Sequence, residues 1–382
     1  MSLRCPSASA VRRLALGSVV ANTAIVVTGG AVRLTDSGLG CPTWPRCTSD
    51  SYVPTGQVAG HEVIEFGNRT LTFLLGLVAL ATLAAVLLHR PRRPPLARLA
   101  TLAFLGIPAQ AVLGGITVRT GLNPWTVAAH FLLSTAIVGL TVVLWSRSRE
   151  RFDGPARRVV RPEMVLLGHG LVGVTGAVLV LGTIVTGSGP HAGDAAASRT
   201  GFDPATMAQL HADAVMLLIG LSVATAVALR AVRAPTQLRR RAVTLVGVEL
   251  AQGAIGYLQY FTGLPVLLVG FHLLGAQLVW IAALRVLLGM RVRQSAPRPA
   301  GGPEGPVPPE PEPTAAAAVA LSGAGGQRPA GPVGDAATWA ATAPANRSAA
   351  PDAAPRKNDG SVSSSSSSSG APSGPASRST RA

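Results

Sequence analysis

Charge is scarce in this chain, and negative charge scarcer still. Only 13% of residues are charged, and 17 Asp and Glu stand against 33 Lys and Arg, a formal net charge of +16. Aromatic residues make up 4%, and there are three cysteines. With a mean hydropathy of +0.39, so few charges exclude an ordinary soluble protein of 382 residues. Cys5, Cys41 and Cys47 are too few, and Cys41 and Cys47 too poorly supported by other ligands, for a cysteine-built metal centre. The basic excess invites a nucleic-acid reading, which the distribution of arginines excludes: they sit in alternate connections, not on one face.

What the chain has in place of charge is long apolar runs. Eight cover roughly residues 14–34, 61–88, 96–118, 125–146, 164–186, 205–230, 241–261 and 265–289, each about the ~20 residues that cross a bilayer. Only helices fit, because backbone groups in lipid must be satisfied within the segment. The basic connections hold Arg90, Arg92, Arg93 and Arg98, then Arg147 to Arg161, then Arg230 to Arg241, with Arg291 and Arg293 after the last run. By the positive-inside rule these connections and both termini are expected in the cytoplasm of a multi-pass cell-membrane protein. Loops 35–60, 119–124, 187–204 and 262–264 then face outward. The first run follows Arg12 and Arg13 but is longer than a signal core, so it reads as a retained membrane helix. Cys41 and Cys47 fall in the first outer loop, where a disulfide persists.

Two stretches repeat one pattern. Gln110 to His130 reads QAVLGGITVRTGLNPWTVAAH, and Gln252 to His272 reads QGAIGYLQYFTGLPVLLVGFH. In both, Gly follows Gln by four positions, Thr-Gly-Leu begins at ten, and His closes the stretch at twenty. A weaker echo relates GGAVRLTDSG (Gly29 to Gly38) to LGTIVTGSG (Leu181 to Gly189). The expected fold is all-α and integral to the membrane: two four-helix bundles related by a pseudo-twofold axis along the membrane normal. The halves are residues 12–147 and 160–292. A Pro-, Ala-, Gly- and Ser-rich segment, 294–382, is expected to form a disordered cytoplasmic tail, since it has too little apolar surface to offset its ordering entropy.

Three histidines, His130, His211 and His272, fall at one depth, six or seven residues inside the outer ends of the fourth, sixth and eighth spans. A single membrane histidine is most simply hydrogen-bonded to a neighbouring carbonyl. Three at one depth, two of them related by duplication, point instead to haem iron ligation. The duplication predicts a partner to His211 on the second span, where Asn68 or Arg69 stands. Nearby, His61, Glu65, Asn68 and Arg69 share one helical face. A carboxylate such as Glu65 in a membrane helix marks function, its alternative being a salt bridge to Arg69 at i+4. Arg33, Arg69 and Arg119 at outer helix ends are candidates for haem propionates, or for headgroup contact. His191 reads as a surface histidine, and His89 and His169 as structural.

At these residues the chain resembles the haem A synthase family, membrane enzymes that oxidise a ring methyl of haem O to the formyl group of haem A. The loop RLTDSGLGCPTWPRC (Arg33 to Cys47) is similar to the family's signature loop. EFGNR (Glu65 to Arg69) resembles its Glu-x-x-His-Arg motif with Asn68 in the histidine place, and GSGPHAGD (Gly187 to Asp194) its second outer loop. The resemblance spans about residues 12–290. It implies a haem b held by His211 and His272, a substrate haem bound through His130, and Glu65 as the catalytic acid. It implies Cys41 and Cys47 as a redox-active or structural pair, with no second pair. His61, Asn68 and Arg69 become candidates around the substrate haem. Implied partners are a haem O-forming farnesyltransferase, an electron acceptor and a second copy of the chain; the bilayer is its medium, and nucleic acid is excluded. The competing reading is a non-catalytic di-haem b-type electron carrier, which accounts for the histidines but not for Glu65. A transporter fits the repeat but not three histidines at one depth.

Overall fold

The computed structural model describes residues 5–56, 60–150 and 154–293, so the expected tail 294–382 lies outside the described residues. The apolar runs form eight helices: α1 Ala8–Leu34, α2 His61–Leu88, α3 Pro94–Arg119, α4 Pro124–Ser148, α5 Pro162–Ser188, α6 Pro204–Ala231, α7 Thr236–Phe261 and α8 Val266–Gly289. Proline opens α3, α4, α5 and α6, where its missing N–H costs nothing and its fixed φ suits the first turn. Asn123 and Asp203 cap α4 and α6 through their side chains. Even α8, of 24 residues, is about 36 Å long at ~1.5 Å per residue, enough to cross a bilayer.

Seven of the eight helices are long and apolar enough to span a membrane, and the protein is a multi-pass, all-helical membrane protein. The exception is α7, expected from sequence to span with the rest. Its apolar character is diluted by Arg239, Arg240, Arg241 and Glu249, yet it has full spanning length and packs against α6 and α8. The sequence did not signal two short strands, β1 Ala156–Arg158 and β2 Arg291–Arg293, which pair antiparallel. They tie the connection after α4 to the chain beyond α8.

Within α1–α4, each helix packs on its sequence neighbours and α1 closes on α4; within α5–α8, α5 closes on α8 in the same way. Contacts of α4 with α5 and α8, and of α1 with α8, join the two sets. The seam is partly polar: Gln277 Nε2 donates to Thr135 Oγ1 and Trp280 Nε1 to the Thr135 carbonyl, both at 3.0 Å. Arg33 reaches across from α1 to the Thr186 carbonyl of α5 at 2.9 Å.

The repeated Thr-Gly-Leu has one conformation in both places. Gly121 and Leu122 have φ of 61° and 57°, and Gly263 and Leu264 have 76° and 61°. Leu122 N–H returns to the Thr117 carbonyl and Leu264 N–H to the Gln259 carbonyl, so each turn caps its helix with left-handed residues. The Leu at the second position accepts an unfavourable φ twice over, which a chance similarity of sequence would not reproduce.

Candidate functional site

The Gln that opens each repeat has a defined task. Gln110 Nε2 donates to the backbone carbonyl of His130 at 2.9 Å, and Gln252 Nε2 to that of His272 at 2.8 Å. Glycines complete the seats. A Cβ built on Gly114 would lie 3.1 Å from His130 Cε1, on Gly256 3.2 Å from His272 Cε1, and on Gly182 3.2 Å from His211 Cε1. Each imidazole therefore lies against bare helix backbone, and a methyl group there would crowd it.

Among the described residues, the seven histidines divide into two sets. His61 bonds Ser37 Oγ at 2.9 Å, His89 the Pro6 carbonyl at 2.9 Å, His169 the Val165 carbonyl at 2.7 Å and His191 the Leu264 carbonyl at 3.0 Å. His130, His211 and His272 each bury Nδ1 with no hydrogen-bond partner, while the His211 ring also contacts the Val178 backbone on α5. A buried ring nitrogen that spends no hydrogen bond on protein is free to be a ligand. The His211 and His272 rings, on α6 and α8, stand edge to face with centroids 6.5 Å apart and planes 68° apart. Two metal–imidazole bonds of about 2 Å, plus about 1 Å from each nitrogen to its ring centre, sum to about 6 Å. The pair fits one metal ion between its rings.

The first half lacks this pair. Where α5 presents Gly182 to His211, α1 presents Gly29 to Asn68, whose Nδ2 is 3.7 Å from a built Cβ. Asn68 Oδ1 accepts from Thr28 Oγ1 at 2.9 Å. His61, two turns away, is held by Ser37. Neither offers His130 a counterpart like His211.

One turn from Asn68, Glu65 is buried to 6% exposure. Its Oε1 accepts from Arg69 Nη2 at 2.6 Å, and its Oε2 from the backbone N–H of Cys41 at 2.5 Å. Arg69 also donates to the carbonyls of Cys41, Thr43 and Arg46 at 2.9, 3.2 and 3.2 Å. The i+4 salt bridge weighed from the sequence is therefore present. It is also more than a local pair: it clasps the loop closed by the Cys41–Cys47 disulfide. Trp44 of that loop lies against Gly115 on α3, where a Cβ would overlap its ring. Of the arginines named for anionic groups, Arg69 is committed to this loop and Arg33 to Thr186, while Arg119 is exposed at the end of α3.

Two acids of consequence escaped the sequence reading. Glu62 is 2% exposed, and its Oε2 accepts from the N–H groups of Thr55 and Gly56 at 2.8 and 3.0 Å, so it anchors the far side of the same loop. Glu249, 3% exposed on α7, accepts from Ser222 Oγ of α6 at 2.8 Å. The rule that drew attention to Glu65, a carboxylate in an apolar run, applied equally to Glu249.

These features define a class: a helical membrane protein built twice over, with a close histidine pair in one half and, in the other, a lone histidine and a clasped acid. Residues 12–284 match the model of the cytochrome oxidase assembly protein family, and the chain belongs to that family. It is 31% identical over 183 residues to a heme A synthase of Symbiobacterium thermophilum, covering 46% of this chain and 59% of the relative. It is 30% identical over 148 residues to that of Geobacillus thermodenitrificans, covering 38% and 45%. With that of Exiguobacterium sibiricum it is 30% identical over 166 residues, covering 42% and 54%. The chain spans about half the length of the curated relatives it matches.

Proposed function

We propose that this protein is a haem A synthase: a membrane oxidoreductase that converts a ring methyl of haem O to the formyl group of haem A, with water as the oxygen source. The observation that carries the reading is the inequality of its two halves. A permanent haem benefits from two firm ligands, and His211 and His272 stand at one metal's separation with both Nδ1 atoms unpartnered. A substrate haem must enter and leave, and His130 is seated in the same way but has Asn68 where a second histidine would stand.

Haem b is the group we assign to His211 and His272, where it would supply one-electron redox chemistry. The residues fit: two buried imidazoles on separate helices, each with an unpartnered Nδ1 and each backed by glycine. The overall change, R–CH3 + H2O → R–CHO + 4 H⁺ + 4 e⁻, needs a group that takes protons beside the methyl carbon. Of the two buried acids of that half, Glu62 and Glu65, it is Glu65 that lies one turn from Asn68. Arg69 and the Cys41 N–H fix both its oxygens, and each oxygen retains a lone pair for a water proton. The clasp orients the carboxylate and ties it to the outer loop. Arg119 is the arginine left to meet a propionate.

The alternate loops carrying arginine support a cell-membrane protein with both termini in the cytoplasm. Haem O from a farnesyltransferase and an acceptor of four electrons are the partners the reaction requires. Expression in a host that makes haem O but no haem A tests the proposal. Haem A in the acid-acetone extract is expected; a red protein yielding only haem b would identify an electron carrier instead.

A further inference from the structure

A cavity of about 250 Å³ lies at the end of the bundle remote from the disulfide loop, bounded by the last turns of α4 and α8, the first turn of α7 and strand β2. Its lining includes four arginines: Arg149 just past α4, Arg241 of α7, Arg285 of α8 and Arg291 of β2. Among the described residues none of the four is in an ion pair. The one acid of the lining, Glu150, is engaged by Arg293 at 3.3 Å and Arg147 at 3.7 Å, both outside the lining. Four guanidiniums thus converge at a membrane boundary with their own counter-charge taken elsewhere. Mutual repulsion on this scale calls for an anion.

The contacts also say what kind. Trp145 stands between two of the arginines, with Arg149 Cζ 5.2 Å and Arg285 Cζ 5.6 Å from its ring centroid. A cation–π contact occupies the flat face of a guanidinium and leaves its N–H edge for oxygen acceptors. Arg241 donates through Nη1 to the Arg285 carbonyl at 3.0 Å, and its buried Nε has no partner. Several planar donor edges around one small cavity match the oxygens of a phosphate group. Part of the lining is apolar, including Leu238, Leu288 and Val292, as suits a group with a lipid attached.

We infer that this cavity is a binding site for a phosphate ester, and that its occupant in the membrane is the headgroup of an anionic phospholipid. A ligand there would bridge α4 of the first half to α7 and α8 of the second, and so bear on how the halves hold together. The inference is independent of what the histidines bind.

The test uses the full chain purified in detergent. Its thermal midpoint and retained lipid phosphorus are measured after adding phosphatidylglycerol, phosphatidylcholine or inorganic phosphate. Phosphatidylglycerol is expected to stabilise and to be retained, and phosphatidylcholine not. Arg149→Gln with Arg285→Gln should weaken retention about fivefold for each arginine removed. Arg12→Gln with Arg13→Gln, the same charge change outside the cavity, should leave it intact. If the double variant does not accumulate, Arg291→Gln on the exposed rim carries the test. Stabilisation by inorganic phosphate alone, lost in the cavity variants, would keep the phosphate site but assign it a soluble occupant. Equal retention in wild type and cavity variants, or equal loss in the Arg12 and Arg13 control, would overturn the inference.

Discussion

Gln252 donates its side-chain amide to the backbone carbonyl of His272, across the gap between α7 and α8, at 2.8 Å. Gln110 and His130 repeat the bond between α3 and α4 at 2.9 Å. The bond fixes the register of each helix pair at the residue that must not move. Gln252→Leu should therefore cost about 1 kcal/mol for the lost hydrogen bond, and loosen whatever His272 holds. Gln209→Leu, which removes an exposed bond to Asp213, should do neither. Thermal unfolding of the two variants, followed at the haem absorbance and by circular dichroism, separates these outcomes.

The clasp of Glu65 and Arg69 on the disulfide loop predicts a mechanical effect. Arg69→Leu strips four hydrogen bonds at once and leaves Glu65 buried without its cation. A loss of about 3 kcal/mol is expected, at the lower end of the range for breaking a buried pair because Arg69 is partly exposed. Trypsin should then cut faster after the exposed Arg46. Unchanged proteolysis would mean that the loop is held mainly by Glu62 and Trp44.

The glycine seats predict an asymmetry. Gly182→Ala and Gly256→Ala place a methyl 3.2 Å from a histidine ring, and overpacking of this kind costs about 1–3 kcal/mol. Both should lower haem content. Gly29→Ala places its methyl 3.7 Å from Asn68 Nδ2, an ordinary contact, and should be tolerated. Haem-to-protein ratios of the three purified variants are the measurement.

Asp203 caps α6, and its carboxylate accepts from the hydroxyl and the N–H of Thr206, both at 2.7 Å. These bonds hold its carboxyl below the ordinary 3.8. A lowered pKa stabilises the fold above the unfolded value and loses that effect as pH falls through the folded one. Asp203→Ala should thus be less stable than wild type at neutral pH, with the gap closing below about pH 3.8. A gap that persists in acid would mean that the cap does not depend on the charge.

The helices were legible because a bilayer imposes length and hydropathy on each segment separately. His130 and His272 stood out because duplication put the same spacing on the page twice, and His211 because it falls at the same depth. The disulfide followed from two cysteines in one short loop. What could not be read was contact between distant segments. Nothing local to Arg69 shows that it reaches the carbonyls of Cys41, Thr43 and Arg46. Glu249 stands near Arg239, Arg240 and Arg241, so it reads as part of a polar stretch until Ser222 is seen beside it. Trp44 could not be matched to Gly115, nor β1 to β2, because pairing across the bundle leaves no periodic trace. The arginine-lined cavity drew on four separate segments, and the sequence offered only the sign of their charge.

On the proposed reading, oxidation takes place in the first half, at Glu65, while the second half keeps its haem throughout. Extraction of haems from Glu65→Gln, expressed in the host that supplies haem O, tests it most directly. Glutamine keeps the size of the side chain but cannot take a proton. The account predicts a folded protein that retains haem b and yields no haem A. Haem A at the wild-type level from that variant would contradict it.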